Sequence, residues 1–385
     1  MSSLGQNIND LKYKNRARIL EIIFYKGPHS RKAIASLLGL TPAAITNITG
    51  SLIEESILVE SQKVGRKSSA GRKEQLLELN YTKFKFLSVL VERKGLYLKI
   101  TDLEGKSILE VDMMPLNRSE NIEEELFEKI DKLIKDGSIE MTEINSAGIS
   151  FSEDSFLDIK KCELLKDEFK EKYEFPVYLE KQTSAMIFAD NILRKEKSFD
   201  RRLLLRFDSF LYGSLYDNKT EAHNPFISSL EWGNLIIKGG DGGFVAEKTT
   251  LAHIYKTVTE KFSASTFPVL FELTRGDKSK INIKLIFQAY ESGDRGLTEI
   301  LDSVAHKLAF AISDCVNVLM PEKVLLCSAF LSSNLFTQKL SSALRLSNSV
   351  TKPEFLLIPN YSKLLNFSAT AVALNGFLES GAFIT

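Results

Sequence analysis

The chain is poor in the residues that build disulfide frameworks and metal sites. Its 385 residues include three cysteines and four histidines. Cys162, Cys315 and Cys327 are far apart and form no Cys-x-x-Cys pair, so neither a disulfide scaffold nor a cysteine zinc site is indicated. His29, His223, His253 and His306 are equally scattered, and each reads as an ordinary surface or packed residue. No metal is therefore predicted. The sequence also lacks an apolar run long enough to cross a bilayer, and its first residues lack the apolar segment of a secretion signal. A cytoplasmic protein with no membrane partner is the expectation. Net charge is absent too, since 50 Lys and Arg balance 50 Asp and Glu. The balance is uneven along the chain. Residues 1–80 hold twelve Lys or Arg against seven Asp or Glu, which leaves the remainder at −5. Between Gln62 and Lys73 five basic residues, Lys63, Arg66, Lys67, Arg72 and Lys73, occur with no acidic one. Such a run can neutralise a phosphate backbone, a role weighed against that of a solvated hairpin tip.

At this length the chain exceeds one ordinary core, and two or three domains are expected. The most informative stretch runs from Ser30 to Asn47. Ile34, Leu37 and Leu38 fall on one face of a short helix, Gly39 takes the turn, and Thr41-Pro42 opens a second helix. Proline at the first helical position costs no hydrogen bond, and the threonine hydroxyl can cap the free N–H groups behind it. Ile45, Ile48 and Leu52 then recur at helical spacing and should face a core. Ala43, Ala44, Thr46, Asn47 and Ser51 are left on the opposite face, small or short polar residues that let a helix approach base edges, and Thr41, Ala43, Ala44, Thr46 and Asn47 are the residues expected in a major groove. A helix over Asn15 to Tyr25, with Arg16 and Arg18 outward, precedes this pair, and residues 1–14 read as a loose arm. Two strands, Leu58 to Val64 and Gln75 to Leu79, follow around the basic tip. Three helices and a basic hairpin form a winged helix-turn-helix pattern over residues 1–80.

Beyond Asn80 the periodicity becomes that of strands. Phe86 to Val91, Leu96 to Asp102 and Ile108 to Met113 form a meander with turns at Gly95 and Glu104-Gly105. A helix over Asn121 to Lys135, short apolar strands at Ser146 to Phe151 and Pro176 to Leu179, and a helix from Thr183 complete an α/β lobe over 81–195. Residues 196–385 repeat the order: paired strands from Leu203 and Leu211, helices, a long helix over Leu297 to Leu319, the strand Val324 to Cys327, and a final helix over Ser362 to Leu378. The last helix is rich in small residues and is expected to pack back on the first lobe. The fold class expected is α/β, an N-terminal winged helix-turn-helix followed by a duplicated ribonuclease-H-like, actin-like ATPase or sugar-kinase domain of two lobes with a cleft between them.

With these segments in order, the chain resembles the ROK family, which contains sugar kinases and winged-helix, sugar-responsive repressors. The residues that carry the resemblance are Asn15-Arg16, the helix-turn-helix, Gly71-Arg72-Lys73 at the wing, TDLEG at Thr101 to Gly105, and PVYLEKQTSA at Pro176 to Ala185. LEWGN at Leu230 to Asn234, GGDGG at Gly239 to Gly243 and NVLMPEKVLL at Asn317 to Leu326 continue it. The resemblance implies a DNA-binding repressor acting as a homodimer or homotetramer on a palindromic, A/T-rich operator. Arg66, Lys67, Arg72 and Lys73 would then contact phosphate or a narrow minor groove. It also implies a sugar or sugar-phosphate effector.

Departures from the family pattern argue against an enzyme. The first phosphate turn of the kinases aligns with Leu90-Val91-Glu92-Arg93-Lys94, and the second with Arg206 to Leu211. Neither segment contains glycine. The late Gly-Gly of the family is Cys327-Ser328, so no nucleotide cofactor is expected. Gln182 stands where the kinases carry the Asp that takes the sugar proton, and a neutral amide is not basic enough for that role. Zinc ligands of the family, a histidine at the Asn234 position and three cysteines near Gly239 to Gly243, are also replaced. Lys181, Gln182, Glu231 and Asn234 occupy the remaining sugar-contact positions, where Gln, Asn and Glu can all bond hydroxyls. Trp232 reads either as a stacking platform for a sugar or as core. A working sugar kinase, or a regulator whose lobes bind a protein instead of a sugar, are the competing readings.

Overall fold

The computed structural model describes residues 8–64, 74–93, 95–115, 122–154, 159–195, 201–217, 226–236, 242–346 and 352–382. Two compact units emerge, one formed by Met1–Ser198 with Leu364–Thr385 and the other by Phe199–Lys363.

The first unit begins with α1 (Ile8–Lys26), β1 (His29–Ser30), α2 (Arg31–Leu38), α3 (Pro42–Glu54), β2 (Leu58–Val64) and β3 (Gln75–Leu79). The strands pair in the order β1-β3-β2. α1 starts ahead of the expected Asn15 because no glycine or proline between Ile8 and Asn15 stops a helix. Ile19, Ile23, Ile34, Ile45, Leu52, Leu58 and Leu77 form the core of this part, all fully buried. Two expectations fail here. Leu37 is 50% exposed, while Arg16 is only 1% exposed.

The chain continues through β4 (Lys85–Glu92), β5 (Gly95–Asp102), β6 (Ser107–Pro115), α4 (Ile122–Asp136), β7 (Ile144–Phe151), α5 (Ile159–Tyr173), β8 (Val177–Lys181) and α6 (Gln182–Arg194). These five strands form a sheet ordered β6-β5-β4-β7-β8. β4 and β5 are antiparallel, whereas β7 runs parallel to both β4 and β8. Sequence patterning does not find α5, which buries Leu165, Phe169 and Tyr173.

The second unit holds β9 (Arg202–Phe207), β10 (Leu211–Asp217), β11 (Phe226–Leu230), α7 (Val245–Thr249), α8 (Leu251–Glu260), α9 (Pro268–Thr274), α10 (Ile283–Glu291), α11 (Arg295–Leu319), β12 (Lys323–Cys327), α12 (Asn334–Leu346) and β13 (Glu354–Ile358). Its sheet is ordered β11-β10-β9-β12-β13. β9, β12 and β13 are parallel, and β9, β10 and β11 form an antiparallel meander. The edge strands β11 and β13 are the two that sequence patterning leaves unassigned. On α11 the expected stripe of Leu301, Val304, Leu308, Ile312 and Val316 is buried, each at 2% exposure or less.

α13 (Ser362–Glu379) then returns to the first unit. The reason is visible in the period-two alternation of β4 and β7. Leu87, Val89, Val91, Ala147, Ile149 and Phe151 join the apolar cluster that includes Leu126 and Ile130 of α4 and Leu165 and Phe169 of α5. The intervening Ser88, Ser146, Gly148 and Ser150 point at α13. Ser88 Oγ and Thr370 Oγ1 are 2.8 Å apart, Ser368 Oγ donates to Ser150 Oγ at 3.0 Å, and Ser146 Oγ donates to the Ala373 carbonyl at 3.3 Å. Phe377 seals the end of the contact against Phe84 and Phe86, with ring centroids 4.9 and 5.2 Å away.

The approach is closest at Gly148, where an added Cβ would lie 2.2 Å from the Ala369 carbonyl oxygen and 2.4 Å from the Ala373 nitrogen. Backbone atoms cannot swing aside as a side chain can. Gly148→Ala is therefore expected to destabilise the first unit by about 2 kcal/mol, the typical cost of overpacking. A urea melt indistinguishable from that of the unmodified protein would contradict this packing.

Candidate nucleic-acid interface and strand-end clusters

Local chemistry builds the helix-turn-helix. Ser30 caps α2, its Oγ accepting from the Ala33 N–H at 3.2 Å, and Gly39 ends that helix in the left-handed region at φ +66°. Thr41 caps α3 by accepting from the Ala44 N–H at 3.2 Å, and Pro42 occupies the first helical position. The two helices bend by 119° across the turn, close to the geometry of DNA-binding helix pairs. Arg31 Nε donates to Thr49 Oγ1 at 3.0 Å and ties α2 to α3. Ile45, Thr49 and Leu52 are buried, while Ile48 is half-buried. Thr41, Ala43, Thr46 and Asn47 are exposed and Ala44 is half-buried, so these five side chains lie along one side of α3. The wing strands are in register from Leu58 opposite Leu79 to Val64 opposite Gln75, with an irregularity between Glu60 and Val64. Arg66, Lys67, Arg72 and Lys73 lie outside the described residues.

The C-terminal end of α3 is held by long-range contacts. Arg16 donates from both terminal nitrogens to the two Glu55 carboxylate oxygens at 2.6 Å each, and from Nε to the Gly381 carbonyl at 2.9 Å. The guanidinium thus joins α1, the residue that ends α3, and the turn after α13. The Arg16 hydrogen bond holds the Glu55 carboxyl below the usual carboxylate range, against the opposing effect of its burial.

At the carboxyl ends of β4, β7 and β8 one of the two predicted effector residues of the first unit, Gln182, is already engaged. Lys181 is half-buried and directly precedes α6, and Gln182 is its fully buried first residue. Gln182 Nε2 donates to Glu92 Oε1 at 2.5 Å. The cap of α6 comes from Glu153, whose Oε1 accepts from the Thr183 N–H at 2.9 Å and from its hydroxyl at 2.5 Å. A carboxylate is favoured at this end of a helix by the backbone dipole. Glu153 Oε2 is buried and has no hydrogen-bond partner among the described residues. Neither Glu92 nor Glu153 is singled out by sequence reasoning, although Glu92 sits within the turn aligned with the first kinase phosphate loop. Its carboxylate repels phosphate and competes for the Gln182 amide.

The second unit shows a comparable closure where β9, β12 and β13 end. Asp208, 8% exposed, accepts at Oδ1 from the Ser328 hydroxyl at 2.9 Å and from the Ala329 N–H at 2.8 Å, and at Oδ2 from the Tyr361 hydroxyl. The Arg206 guanidinium lies 5.3 Å from the centre of the Tyr361 ring. Burial raises the Tyr361 phenol above its ordinary range, and the charge and hydrogen bond of Asp208 add to this against the opposing pull of the Arg206 guanidinium. Tyr361 therefore stays protonated and donating. Ligands of parallel α/β sheets bind outside the carboxyl ends of the strands, and here an internal carboxylate joins the three ends. Elsewhere in this unit Asn234 Nδ2 donates to Glu231 Oε2 at 3.2 Å, with both residues exposed. Trp232 between them is core: it is 3% exposed, donates from Nε1 to the Tyr212 carbonyl at 3.1 Å, and meets Phe207 edge-on.

No family model matches the chain. Among curated proteins it is similar to the xylose repressor of Caldicellulosiruptor bescii, 23% identical over 356 residues covering 86% of this chain and 87% of that protein. It is also similar to the DNA-binding transcriptional dual regulator NagC of Escherichia coli, 21% identical over 351 residues, with 83% and 81% covered. Among solved structures, a ROK family transcriptional regulator described as a homologue of the Escherichia coli Mlc protein superposes with a TM-score of 0.75. The identity is 19%, and the match covers 97% of this chain and 98% of that one. A ROK family glucokinase from Streptomyces griseus, solved with glucose and AMPPNP, superposes with a TM-score of 0.53 at 15% identity, covering 75% of this chain and 99% of that one.

Proposed function

We infer that this homologue of the ROK family repressors is a sequence-specific DNA-binding transcriptional regulator of carbohydrate-related genes, acting as a repressor in the cytoplasm. The observation that carries the reading is the capped helix pair bent by 119°, with Thr41, Ala43, Thr46 and Asn47 exposed along its second helix. One winged helix covers only a few base pairs, so a homodimer or homotetramer on a palindromic operator is the expected assembly. A/T-rich sequence would suit basic wing residues entering a narrow minor groove. Arg66, Lys67, Arg72 and Lys73 are the residues proposed for that role.

The α/β units serve as a sensor of a sugar or sugar derivative and not as a kinase. Two observations support this. Gln182 is neutral and committed through its amide to Glu92, so it cannot serve as a base. Asp208 takes the Ala329 N–H and brings negative charge to the end of the sheet where a phosphate would need donors. Effector contacts are proposed at Lys181 and Gln182 in the first unit and at Glu231 and Asn234 in the second, each pair on its own merits. An effector that binds one conformation better than another shifts the population toward it and so changes operator affinity.

The test is a binding assay on the DNA upstream of the protein's own gene, with and without a panel of sugars and sugar phosphates, run beside an ATP-turnover assay with the same hexoses. Retention of that DNA, its release by one compound and no turnover are the expected results. Hexose-dependent hydrolysis of ATP would restore the kinase reading, and failure to retain any DNA would remove the regulator reading.

A further inference from the structure

On the reading of the chain as a DNA-binding regulator, we propose that Asn47 recognises an adenine in the major groove. The methyls of Ala43 and Thr46 meet thymine in the same half-site, so that α3 reads A·T pairs and not guanine. The sequence of α3, PAAITNITGSLIE, contains no Arg, Lys or Gln. Guanine is most often read by the paired donors of arginine or by lysine, so the commonest direct reader of G·C is missing from this helix. The polar side chains that it does carry are largely occupied by the helix itself. Thr41 Oγ1 accepts from the Ala44 N–H, Thr46 Oγ1 donates to the Pro42 carbonyl at 2.8 Å, and Ser51 Oγ donates to Glu55 at 2.7 Å.

Asn47 differs from all of these. It is exposed, and among the described residues its side-chain amide has no hydrogen-bond partner. It presents a donor and an acceptor side by side, the arrangement that matches the N7 acceptor and N6 donor of adenine. Its place in the first half of α3 is where recognition helices contact base edges. Thr46 turns its hydroxyl back to Pro42, which leaves its methyl as the outward group and a partner for the thymine C5-methyl.

The experiment uses the full chain. A preferred duplex is first selected from a random-sequence pool. Each adenine of the half-site is then replaced in turn by 7-deazaadenine, which removes only the N7 acceptor, and binding is measured for the unmodified protein and for Asn47→Ala. One adenine is expected to show a loss on the order of tenfold to a hundredfold with the unmodified protein, and no further loss with Asn47→Ala. Two results would overturn the assignment: no adenine sensitive to the replacement, or a sensitive adenine whose penalty persists in the variant. A pool that yields no enriched sequence would defeat the DNA-binding reading itself, a distinct outcome. Because α3 packs through Ile45, Thr49 and Leu52, the variant keeps its fold, and its circular dichroism should match that of the unmodified protein.

Discussion

Replacing Arg16 with alanine is expected to destabilise the first unit by about 3 kcal/mol, the lower end of what breaking a buried ion pair costs. The side chain is 1% exposed, so its loss leaves a cavity as well as an orphaned Gly381 carbonyl. Glu55 is 41% exposed and recovers water, which keeps the loss from being larger. Arg16→Met separates the contributions, since it restores the buried stem and omits the three hydrogen bonds. A loss near 1 kcal/mol for methionine would assign most of the effect to packing. Acid should erase part of the interaction. The Glu55 carboxyl is held below its usual range in the folded protein, so its contribution is present above the unfolded value and lost as the pH falls through the folded one. The stability gap between the unmodified protein and Glu55→Gln should therefore close in acid, and a gap that widens there would refute the assignment. Because Glu55 ends α3, both Arg16 variants should also weaken operator binding at temperatures where they remain folded.

Asp208→Ala is expected to cost the second unit a similar amount, also about 3 kcal/mol. The carboxylate joins three strand ends, and its removal orphans the Ala329 N–H and the Tyr361 hydroxyl. Ser328 loses less, because its Oγ also lies within hydrogen-bond reach of the Phe207 carbonyl at 2.5 Å. Asp208→Asn keeps one acceptor oxygen and should retain more than half of the lost stability, whereas Tyr361→Phe tests one donor alone. Calorimetry of the three variants measures this directly. Equal melting temperatures for Asp208→Ala and the unmodified protein would mean that the cluster does not hold the strand ends. None of the variants should gain ATP turnover, since Gln182 remains an amide in every one.

Similar chemistry thus closes the strand ends of both units, yet its parts differ greatly in how far sequence can reveal them. Gln182 and Asp208 lie inside segments recognisable by their alignment to phosphate and sugar loops, and their altered chemistry is legible one residue at a time. Their partners are not. Glu92 reaches Gln182 across ninety positions, and Asp208 reaches Tyr361 across 153. No local pattern marks such a pairing, because each hydrogen bond depends on two strands of one sheet ending at the same edge with a third strand between them. Trp232 illustrates the same limit: its sequence context allows stacking or core, with core the commoner role of a lone Trp, and its position beside Phe207 decides for core.

What the sequence by itself determined is whatever depends on neighbours a few residues apart. The Ser30 and Thr41 caps, the left-handed Gly39 and the Thr41-Pro42 start place the helix-turn-helix, since each acts on backbone groups within one turn. The apolar stripe of α11 and the alternation of β4 and β7 are equally local. Tertiary structure alone decided that Arg16 is buried and not outward, that Leu37 is exposed, and which backbone atoms of α13 meet the first sheet. In each case the outcome rests on atoms brought together from distant parts of the chain: Glu55 and Gly381 around Arg16, and Gly148 against Ala369 and Ala373. A charged side chain tolerates burial where its charge is paired and hydrogen-bonded, and a helix settles closely on a sheet where glycine and serine leave room.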